Sequence, residues 1–463
     1  MSKTDYFGLF RDALRGTDED HTRGLVRRSI VLLAIPMMLE MLMEAVFAVT
    51  DIFFVARLGA AAVAAVGMTE AVLTVVYAVA IGLSAATTAM VARRIGEGDG
   101  KGASVAAAQA LWIGALVSAA MAAAGITLGE QILLWLGADQ VVVDGGSVYT
   151  KILLGGSASI TYLFLINAIF RGAGDASIAM KSLVLANGIN IVLDPMLIFG
   201  IGPFPELGVT GAAIATTIGR SIGVLYQLWL LNSGRRRVTL KLRDLGIAPA
   251  VMRRLLVLSG NGIMQFGIAT SAWILLMTIV ARSGTAAVAG YTIAMRIVEF
   301  VILPAWGLSN AAATLVGQAL GAGKPSRAQV AVAVTARYNF AFMAVIGVIF
   351  IVIPGPFIRI FTADPVVIDY GSACLRYLAY GYGFYALGMV MVQALNGAGD
   401  TFTPMLINLF CFWVIQLPLA WYLAETAGFG ARGVFAAITI AESLIALLAY
   451  WVFRRGRWQY RQV

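Results

Sequence analysis

The chain has 463 residues, of which 60% are hydrophobic and 12% charged, and its formal net charge is +9. Soluble domains are about 45–50% apolar and about 25% charged, so this composition excludes a water-soluble globular protein. The single histidine, His21, lies in a charged N-terminal tail, which excludes histidine-based metal centres and His-containing catalytic triads. An integral-membrane enzyme is not excluded by this, although it would have to work mainly with carboxylates. From the whole sequence we expect neither an enzyme nor a bound cofactor.

Apolar stretches of membrane-spanning length follow this tail, residues 1–28, in which no cleavage site of a secretory signal is visible. About 20 apolar residues are needed for a helix to cross the hydrocarbon core. A shorter apolar run at 130–143 is predicted to lie at the membrane surface, with a re-entrant segment as the alternative. The twelve predicted spans are residues 29–56, 62–92, 104–126, 147–170, 177–200, 209–231, 254–281, 287–316, 329–353, 371–394, 402–424 and 433–453.

Lysine and arginine are concentrated in the connections on one side of these spans, whereas the opposite connections are short or carry acids. Because cytoplasmic loops are enriched in basic residues, we expect both termini and the connection 232–253 to be cytoplasmic. The basic excess then reflects topology, and no nucleic-acid partner is expected. We predict a multi-pass protein of the bacterial inner membrane, a monomer surrounded by lipid, with an N-lobe at 29–231, a C-lobe at 254–453 and a second tail at 454–463.

The second half of the chain repeats short motifs of the first half at one constant difference in position number, which we call the repeat offset. Arg171-Gly-Ala-Gly-Asp175 returns as Asn396-Gly-Ala-Gly-Asp400, so the repeat offset is 225 (396 − 171). Further pairs at this offset are Val55–Arg57 with Val280–Arg282, Gly82–Ser84 with Gly307–Ser309, and Gly96 and Gly98 with Gly321 and Gly323. With six spans in each half, the pattern predicts an all-α membrane protein of two six-helix lobes related by a pseudo-two-fold axis along the membrane normal.

The first predicted span carries three acids, Glu40, Glu44 and Asp51. Spacings of four and seven positions place them in one stripe of a helix. An acid at the centre of a span costs about 2.5–3.5 kcal/mol on the translocon scale, so the stripe is predicted to face protein or water and to be functional. For Glu40, nearer the inner end of the helix, a merely hydrated position is the favoured interpretation.

The fifth predicted span carries a second polar stripe, Asn187, Asn190 and Asp194. Interhelical hydrogen bonding is the alternative to a functional role, and it contributes only about 0.6–2 kcal/mol per bond. A hydroxyl or an amide would make such bonds at a lower insertion cost than Asp194. The acid therefore favours function.

The duplication provides an internal comparison. Adding 225 to Glu40 gives Gln265, the positions that match Glu44 and Asp51 are apolar, and the segment that matches the second stripe offers Gln416 but no acid. We therefore predict that only the first half keeps the carboxylates of these two stripes.

These motifs together resemble the MATE (multidrug and toxic compound extrusion) family of the MOP superfamily, over residues 25–455. The resemblance implies export of drug-like, often cationic compounds, driven by entry of protons or sodium. It also implies that the first-helix aspartate and the fifth-helix Asn/Asp pair couple ion entry to export, and that Pro36 is a hinge. The motifs that carry it are Pro36, Asp51–Gly59, Arg171–Asp175, Asn190–Pro195 and Asn396–Thr401.

The resemblance is closer to DinF-like than to NorM-like members, because Gln265, Thr270 and Tyr385 stand in the spans where NorM-like members carry acids.

If sodium is the coupling ion, its ligands would be Asp51, Asn190 and Asp194. A proton needs one carboxylate, and Glu44 adds negative charge to the same stripe, so a proton is favoured. The residues predicted to contact substrate are Asn187, Asn167, Glu40, Met43, Gln265 and Gln416.

A lipid-linked oligosaccharide flippase is the alternative, and it would need cationic residues on the cavity face. Here the arginines are predicted to lie at the ends of spans, and the charges inside the first lobe are acids. In the second half, Arg296 and Glu299 lie one helical turn apart and are predicted to pair with each other. A channel is disfavoured because nothing resembles a ring-forming filter.

Overall fold

The computed structural model describes residues 6–234, 236–241 and 245–461, and this part of the chain contains helices and no β-strand. Helices are expected of a chain in lipid, because each helix satisfies its own backbone hydrogen bonds. The α-helices are α1 Tyr6–Arg15, α2 Val26–Val55, α3 Ala60–Gly96, α4 Gly100–Trp135, α5 Gln140–Gly155, α6 Ser157–Ala173, α7 Ala176–Phe199, α8 Val209–Asn232, α9 Pro249–Ala281, α10 Thr285–Gly321, α11 Pro325–Val352, α12 Gly355–Arg359, α13 Pro365–Gly397, α14 Phe402–Asn408, α15 Leu417–Trp421 and α16 Ala431–Arg454.

Eleven helical segments of the described chain are long and apolar enough to cross a membrane. The fourth joins α5 and α6, and the tenth, Phe402–Thr426, joins α14 and α15 through π-helical turns. Helix α8 is not among the eleven, since Arg220 and Gln227 lower its mean hydropathy, although its 24 residues suffice in length. It occupies the place of the sixth predicted span, and the two-lobed all-α fold is confirmed.

The prediction of a separate surface segment at 130–143 is wrong. Helix α4 runs without interruption to Trp135, so the short apolar run is the end of the third span. The chain turns at Gly137, and the Asp139 carboxylate then accepts a hydrogen bond from the Val142 amide at 2.9 Å, which caps the start of α5. The run was too short to span alone because it belongs to the helix before it.

The sequence repeat is also a repeat of backbone conformation. Gly174, in the first motif, has φ 90°, and Gly399, its counterpart at the repeat offset, has φ 86°. Both glycines follow the end of a helix and turn the chain in a conformation that a side chain disfavours. The repeated motif is therefore a helix-terminating turn that occurs once in each lobe.

The lobes contact each other through a pair of repeat-related crossings. A β-carbon on Gly82 of α3 would lie 2.6 Å from the backbone nitrogen of Ile263 in α9. A β-carbon on Gly307 of α10, the repeat counterpart of Gly82, would lie 2.4 Å from the carbonyl oxygen of Met37 in α2. Only glycine permits such close approach, and each lobe presents the same helix to the first span of the other. This symmetry agrees with a pseudo-two-fold axis between the lobes.

A segment of the N-terminal tail, residues 19–24, joins the two lobes at the face of the molecule that carries both termini; we call it the tail strap. His21 Nε2 donates to the Gly174 carbonyl of the N-lobe at 3.3 Å. From the C-lobe, Lys324 donates to the Thr22 carbonyl, and Arg327 donates to the carbonyls of His21, Arg23 and Gly24, at 2.7–3.0 Å. Burial, and then the charge of Arg237, lower the pKa of His21 to about 4, so it is neutral near pH 7.

Candidate functional site

Two carboxylates and an amide come together inside the N-lobe, where α2, α7 and α8 meet. Asp51 is 6% exposed, Asn190 2% and Asp194 0%. Positions 190 and 194 lie one turn apart on α7, so Asn190 Nδ2 donates to Asp194 Oδ1 at 3.1 Å; it also donates to Thr216 Oγ1 at 3.2 Å. One oxygen of each carboxylate, and Oδ1 of Asn190, lacks a hydrogen-bond partner among the described residues.

These two carboxylates are buried close to each other without a directly paired cation. Asp51 and Asp194 lie within electrostatic reach of one another, Glu70 of α3 is within reach of Asp51, and neither aspartate forms an ion pair in the described part of the chain. Burying an unpaired charge is costly, so the arrangement favours a bound proton or a bound cation. The described residues contain no cluster of three or more His, Cys, Asp or Glu that could hold a metal ion, and a sodium ion here would need the Asn190 amide as a third ligand.

A buried arginine, Arg220 of α8, lies beside this site and was missed in the sequence. Its Nη2 donates to the Tyr77 hydroxyl at 2.9 Å, and its guanidinium lies 4.8 Å from the centre of the Phe47 ring. Both Glu44 and Asp51 are within its electrostatic reach. The expectation that arginines lie only at the ends of spans is therefore wrong. Inserting an arginine into a membrane span costs about as much free energy as inserting an acid. Arg220 is the one arginine inside the predicted span 209–231, and this could have marked it as a candidate site residue.

Glu40 belongs to a buried polar network, and the expectation that it is hydrated is wrong. It is 1% exposed, its Oε1 accepts from Arg171 Nη1 at 2.7 Å, and Asn167 Nδ2 donates to the same oxygen at 2.9 Å. Asn167 Oδ1 in turn accepts from Gln227 Nε2. Two residues predicted to contact substrate, Glu40 and Asn167, are thus hydrogen-bonded to each other. The ion pair joins α2 to the end of α6, where the repeated motif begins.

The C-lobe contains the repeat-related counterpart of this ion pair as two amides. At the repeat offset, Glu40 corresponds to Gln265 and Arg171 to Asn396. Gln265 Nε2 donates to Asn396 Oδ1 at 3.2 Å and also to the Thr401 carbonyl at 2.9 Å. The same helix-to-helix contact is therefore charged in one lobe and neutral in the other.

Helix α2 contains Met43 and Pro36 and is hydrogen-bonded to Asn187 of α7. Asn187 Nδ2 donates to the Met43 carbonyl at 2.9 Å, and the Met43 side chain packs beside Leu163 and Leu183 in the N-lobe. Pro36 is buried within α2, one residue before the Met37 carbonyl that lies against the C-lobe. Helix α2 is thus held by α7 on one side of its proline-containing turn and crosses the other lobe at that turn.

A central cavity of about 70 Å³ lies between the lobes and is lined from both. The N-lobe contributes Met41, Phe164 and Arg171, and the C-lobe contributes Asn310 and Gln393, among others. Arg171 is neutralised by Glu40, so the described lining residues carry no uncompensated charge. This cavity is distinct from the carboxylate site within the N-lobe.

The C-lobe has its own cavity and its own acid. Gln416, predicted to contact substrate, is 3% exposed and lines this cavity together with Glu442 of α16. The second half does lack acids at the positions that match Glu40, Glu44 and Asp51, but Glu442 is an acid of the C-lobe that was missed in the sequence. The predicted pairing of Arg296 with Glu299 is confirmed, at 3.5 Å between Nη1 and Oε2, and both side chains are more than half exposed.

Two six-helix lobes around a central cavity, with unpaired carboxylates buried in one lobe, define an integral membrane transporter. A family model described as MatE matches residues 36–196 and 263–422, so the chain belongs to the MATE family. The two matched segments correspond to the two halves of the repeat. By family membership the chain is a transporter and not an enzyme.

The similar proteins include relatives named for multidrug resistance and one named for FAD transport. The chain is similar to a probable multidrug resistance protein NorM of Thermotoga maritima, 27% identical over 441 residues that cover 95% of this chain and 94% of the relative. It is similar to an FAD transporter of Shewanella oneidensis, 26% identical, with 93% and 95% covered. A crystal structure of MATE in complex with MaL6 has a TM-score of 0.89 at 26% identity and covers 95% of this chain and 98% of that one.

Proposed function

We propose that the protein is a secondary antiporter that exports drug-like organic cations in exchange for an inward proton. The single observation that carries this proposal is the N-lobe site, in which Asp51 and Asp194 are buried within reach of each other and each keeps an oxygen without a partner among the described residues. Two such carboxylates do not both ionise cheaply, so a proton taken up by one belongs to the pair.

Coupling follows if proton and substrate favour different shapes of helix α2. A proton at Asp51 removes a negative charge from this helix, and a cationic substrate is stabilised by the same charge. Each ligand therefore binds best where the other is absent. An equilibrium between two helix geometries is shifted only by a ligand with different affinity for the two, and these opposite preferences supply that difference.

The proposed site residues fall into three groups: those that bind the coupling ion, the hinge, and those that contact the substrate. Asp51, Asn190, Asp194 and Glu44 are proposed to bind the coupling ion, and all four lie around the meeting of α2, α7 and α8. Pro36 is proposed to be the hinge. Substrate contact is proposed for Asn187, Asn167, Glu40, Met43, Gln265 and Gln416, either directly or through the networks that hold them.

Transport by purified protein in liposomes, with a fluorescent cation and separately imposed proton and sodium gradients, tests the function and the ion. We expect export to run on an inward proton gradient without sodium. If transport is silent without sodium at every pH, the proton model fails, and Asp51, Asn190 and Asp194 become the ligands of a sodium site.

Glu44→Gln should move the pH profile of this transport to lower pH. Arg220 lies within reach of both Glu44 and Asp51, so once Glu44 loses its charge, Arg220 acts on Asp51 without compensation and favours its carboxylate form. Initial transport rates measured from about pH 5 to about pH 8 give the midpoint of the pH profile, because this range covers carboxyl groups with raised pKa values. Glu97→Gln, an acid paired with Arg94 away from this site, is the matched control and should leave the profile in place.

Pro36→Ala should slow turnover several-fold while changing equilibrium affinity for the substrate much less. Proline leaves one backbone hydrogen bond of α2 unmade, so a bend there costs little, and alanine restores that bond and stiffens the helix. The bend lies beside the crossing of Met37 with Gly307, where it would move one lobe against the other. Turnover and binding are measured on the same preparation, and equal turnover would remove the hinge role.

Further assignments complete the proposal. We propose that the face carrying both termini is cytoplasmic, that the membrane is the bacterial inner membrane, and that the chain works as a monomer in lipid without cofactor or nucleic acid. We also propose a DinF-like branch, since Gln265 replaces an acid of NorM-like members; relatives named NorM support the family in either case. Relatives named for multidrug resistance or FAD transport do not favour a lipid-linked oligosaccharide flippase.

A further inference from the structure

The C-lobe cavity is the larger of the two cavities described above, at about 190 Å³, and lies among α9, α10, α13, α16 and the π-helical turns after α14. Its walls are mainly aromatic and aliphatic, and Glu442 is the one described lining residue that carries a formal charge. The described residues of the N-lobe do not line it. The aromatic lining residues are Trp273, Tyr291, Tyr382, Tyr385 and Phe412.

Glu442 lacks the partners that would explain it as a structural residue. In the described part of the chain, no lysine or arginine forms an ion pair with it and no side chain is hydrogen-bonded to it, whereas Glu40 in the other lobe has both kinds of partner. Tyr385 lies within its electrostatic reach. The Tyr382 side chain is 2% exposed, lines the same cavity, and its hydroxyl lacks a hydrogen-bond partner among the described residues. An unpaired acid and an unsatisfied hydroxyl in one cavity indicate a ligand site.

The repeat shows that this charge is specific to the C-lobe. Helices α8 and α16 both start after a glycine with φ 55°, Gly208 and Gly430, which sets a local offset of 222 (430 − 208). At that local offset Arg220 corresponds to Glu442 (220 + 222). In the N-lobe this position is a cation among acids. In the C-lobe it is an acid that no described cation pairs with.

We propose that the C-lobe cavity binds an organic ammonium ion, with Glu442 as its counter-ion and the faces of Trp273 and Tyr385 around its alkyl groups. Aromatic faces attract a desolvated cation, and a carboxylate fixes its position. A metal cation is a poorer match, because the lining offers few oxygen ligands and many rings. This proposal rests on the proposed function in one respect, that the bound ammonium ion is a transported compound. Binding of the ion to the cavity requires no gradient and is tested separately.

Calorimetric titration of the purified full-length chain with benzyltrimethylammonium tests the site. We expect wild type to bind it, Glu442→Gln to weaken binding by about tenfold or more, the loss expected when a charge-assisted contact is removed, and Trp273→Leu to weaken it by a smaller factor. Glu299→Gln, an exposed and paired acid of the same lobe, is the matched control and should bind as wild type does. Glu442→Asp, which keeps the charge, should retain part of the affinity and shows that the fold tolerates change at this position.

Asp51→Asn separates this inference from the proposed function. It should still bind benzyltrimethylammonium while losing transport, and Glu442→Gln should weaken binding in the Asp51→Asn background by the same factor as in wild type. Wild-type affinity in Glu442→Gln, or loss of binding in Asp51→Asn with Glu442→Gln unaffected, would overturn the C-lobe site and leave the antiport mechanism standing.

Discussion

Asp51→Asn should reduce gradient-driven export to the rate of liposomes without protein. Asparagine has the shape of aspartate but carries no titratable charge, so the N-lobe site loses its response to the proton gradient while the packing of α2 is retained. A neutral amide in the membrane is cheaper than an acid, so expression and thermal unfolding should be unchanged or slightly improved. Export of a fluorescent cation and thermal unfolding of the same preparation give the two readouts.

The controls for this prediction come from the other lobe. Asp194→Asn should also uncouple, because Asp194 shares the site with Asp51. Gln265→Ala and Gln416→Ala should alter affinity for the substrate at most and keep coupling. Wild-type export by Asp51→Asn would exclude it as the coupling residue, and uncoupling by Gln416→Ala but not by Asp194→Asn would contradict an N-lobe coupling site.

Breaking the Glu40–Arg171 ion pair on one side should destabilise the protein by about 3–5 kcal/mol, and changing both partners should restore most of that loss. The Arg171 side chain is 9% exposed and that of Glu40 2%, so a single change leaves an uncompensated buried charge. Glu40→Gln should be worse than Arg171→Asn, because arginine keeps its charge at every accessible pH whereas Glu40 can take up a proton. The double variant reproduces Gln265 with Asn396, the pairing that the C-lobe already uses.

The double-mutant cycle of Glu40 and Arg171 is measured by thermal unfolding in detergent. Unfolding is detected as the loss of the single folded species on size exclusion. Arg296→Gln, in an exposed pair, is the control and should cost no more than about 1 kcal/mol. A double variant as unstable as the worse single variant would show that the two positions do not compensate each other.

Much of the fold could be predicted from the sequence because lipid imposes few solutions. Runs of about 20 apolar residues become helices, and a constant spacing of motifs becomes a pair of lobes. The same logic failed at 130–143, where a run was judged by its own length although it continued α4. The sixth span, 209–231, was predicted, but Arg220 within it was missed, and the folded lobe buries this charge against Tyr77.

The candidate site was predictable only in part. Asp51, Asn190 and Asp194 stood out because acids and amides are expensive in a span, and the structure brings them together. Which polar residue meets which depends on packing between distant helices, so the pairing of Glu40 with Arg171 was not visible. Glu442 was not singled out in the sequence, and the repeat offset does not lead to it: adding 225 to Arg220 gives Ile445, because the offset between α8 and α16 is 222.

The tail strap ties the two lobes together at one face of the molecule. Four hydrogen bonds from Lys324 and Arg327 reach carbonyls of residues 21–24, while His21 is bonded to the other lobe. A movement that parts the lobes at the face that carries the termini must break these bonds, and bonds to charged donors contribute up to about 1.5–3 kcal/mol each. A transport cycle that includes such a movement must therefore recover this cost from binding of the compound or the ion.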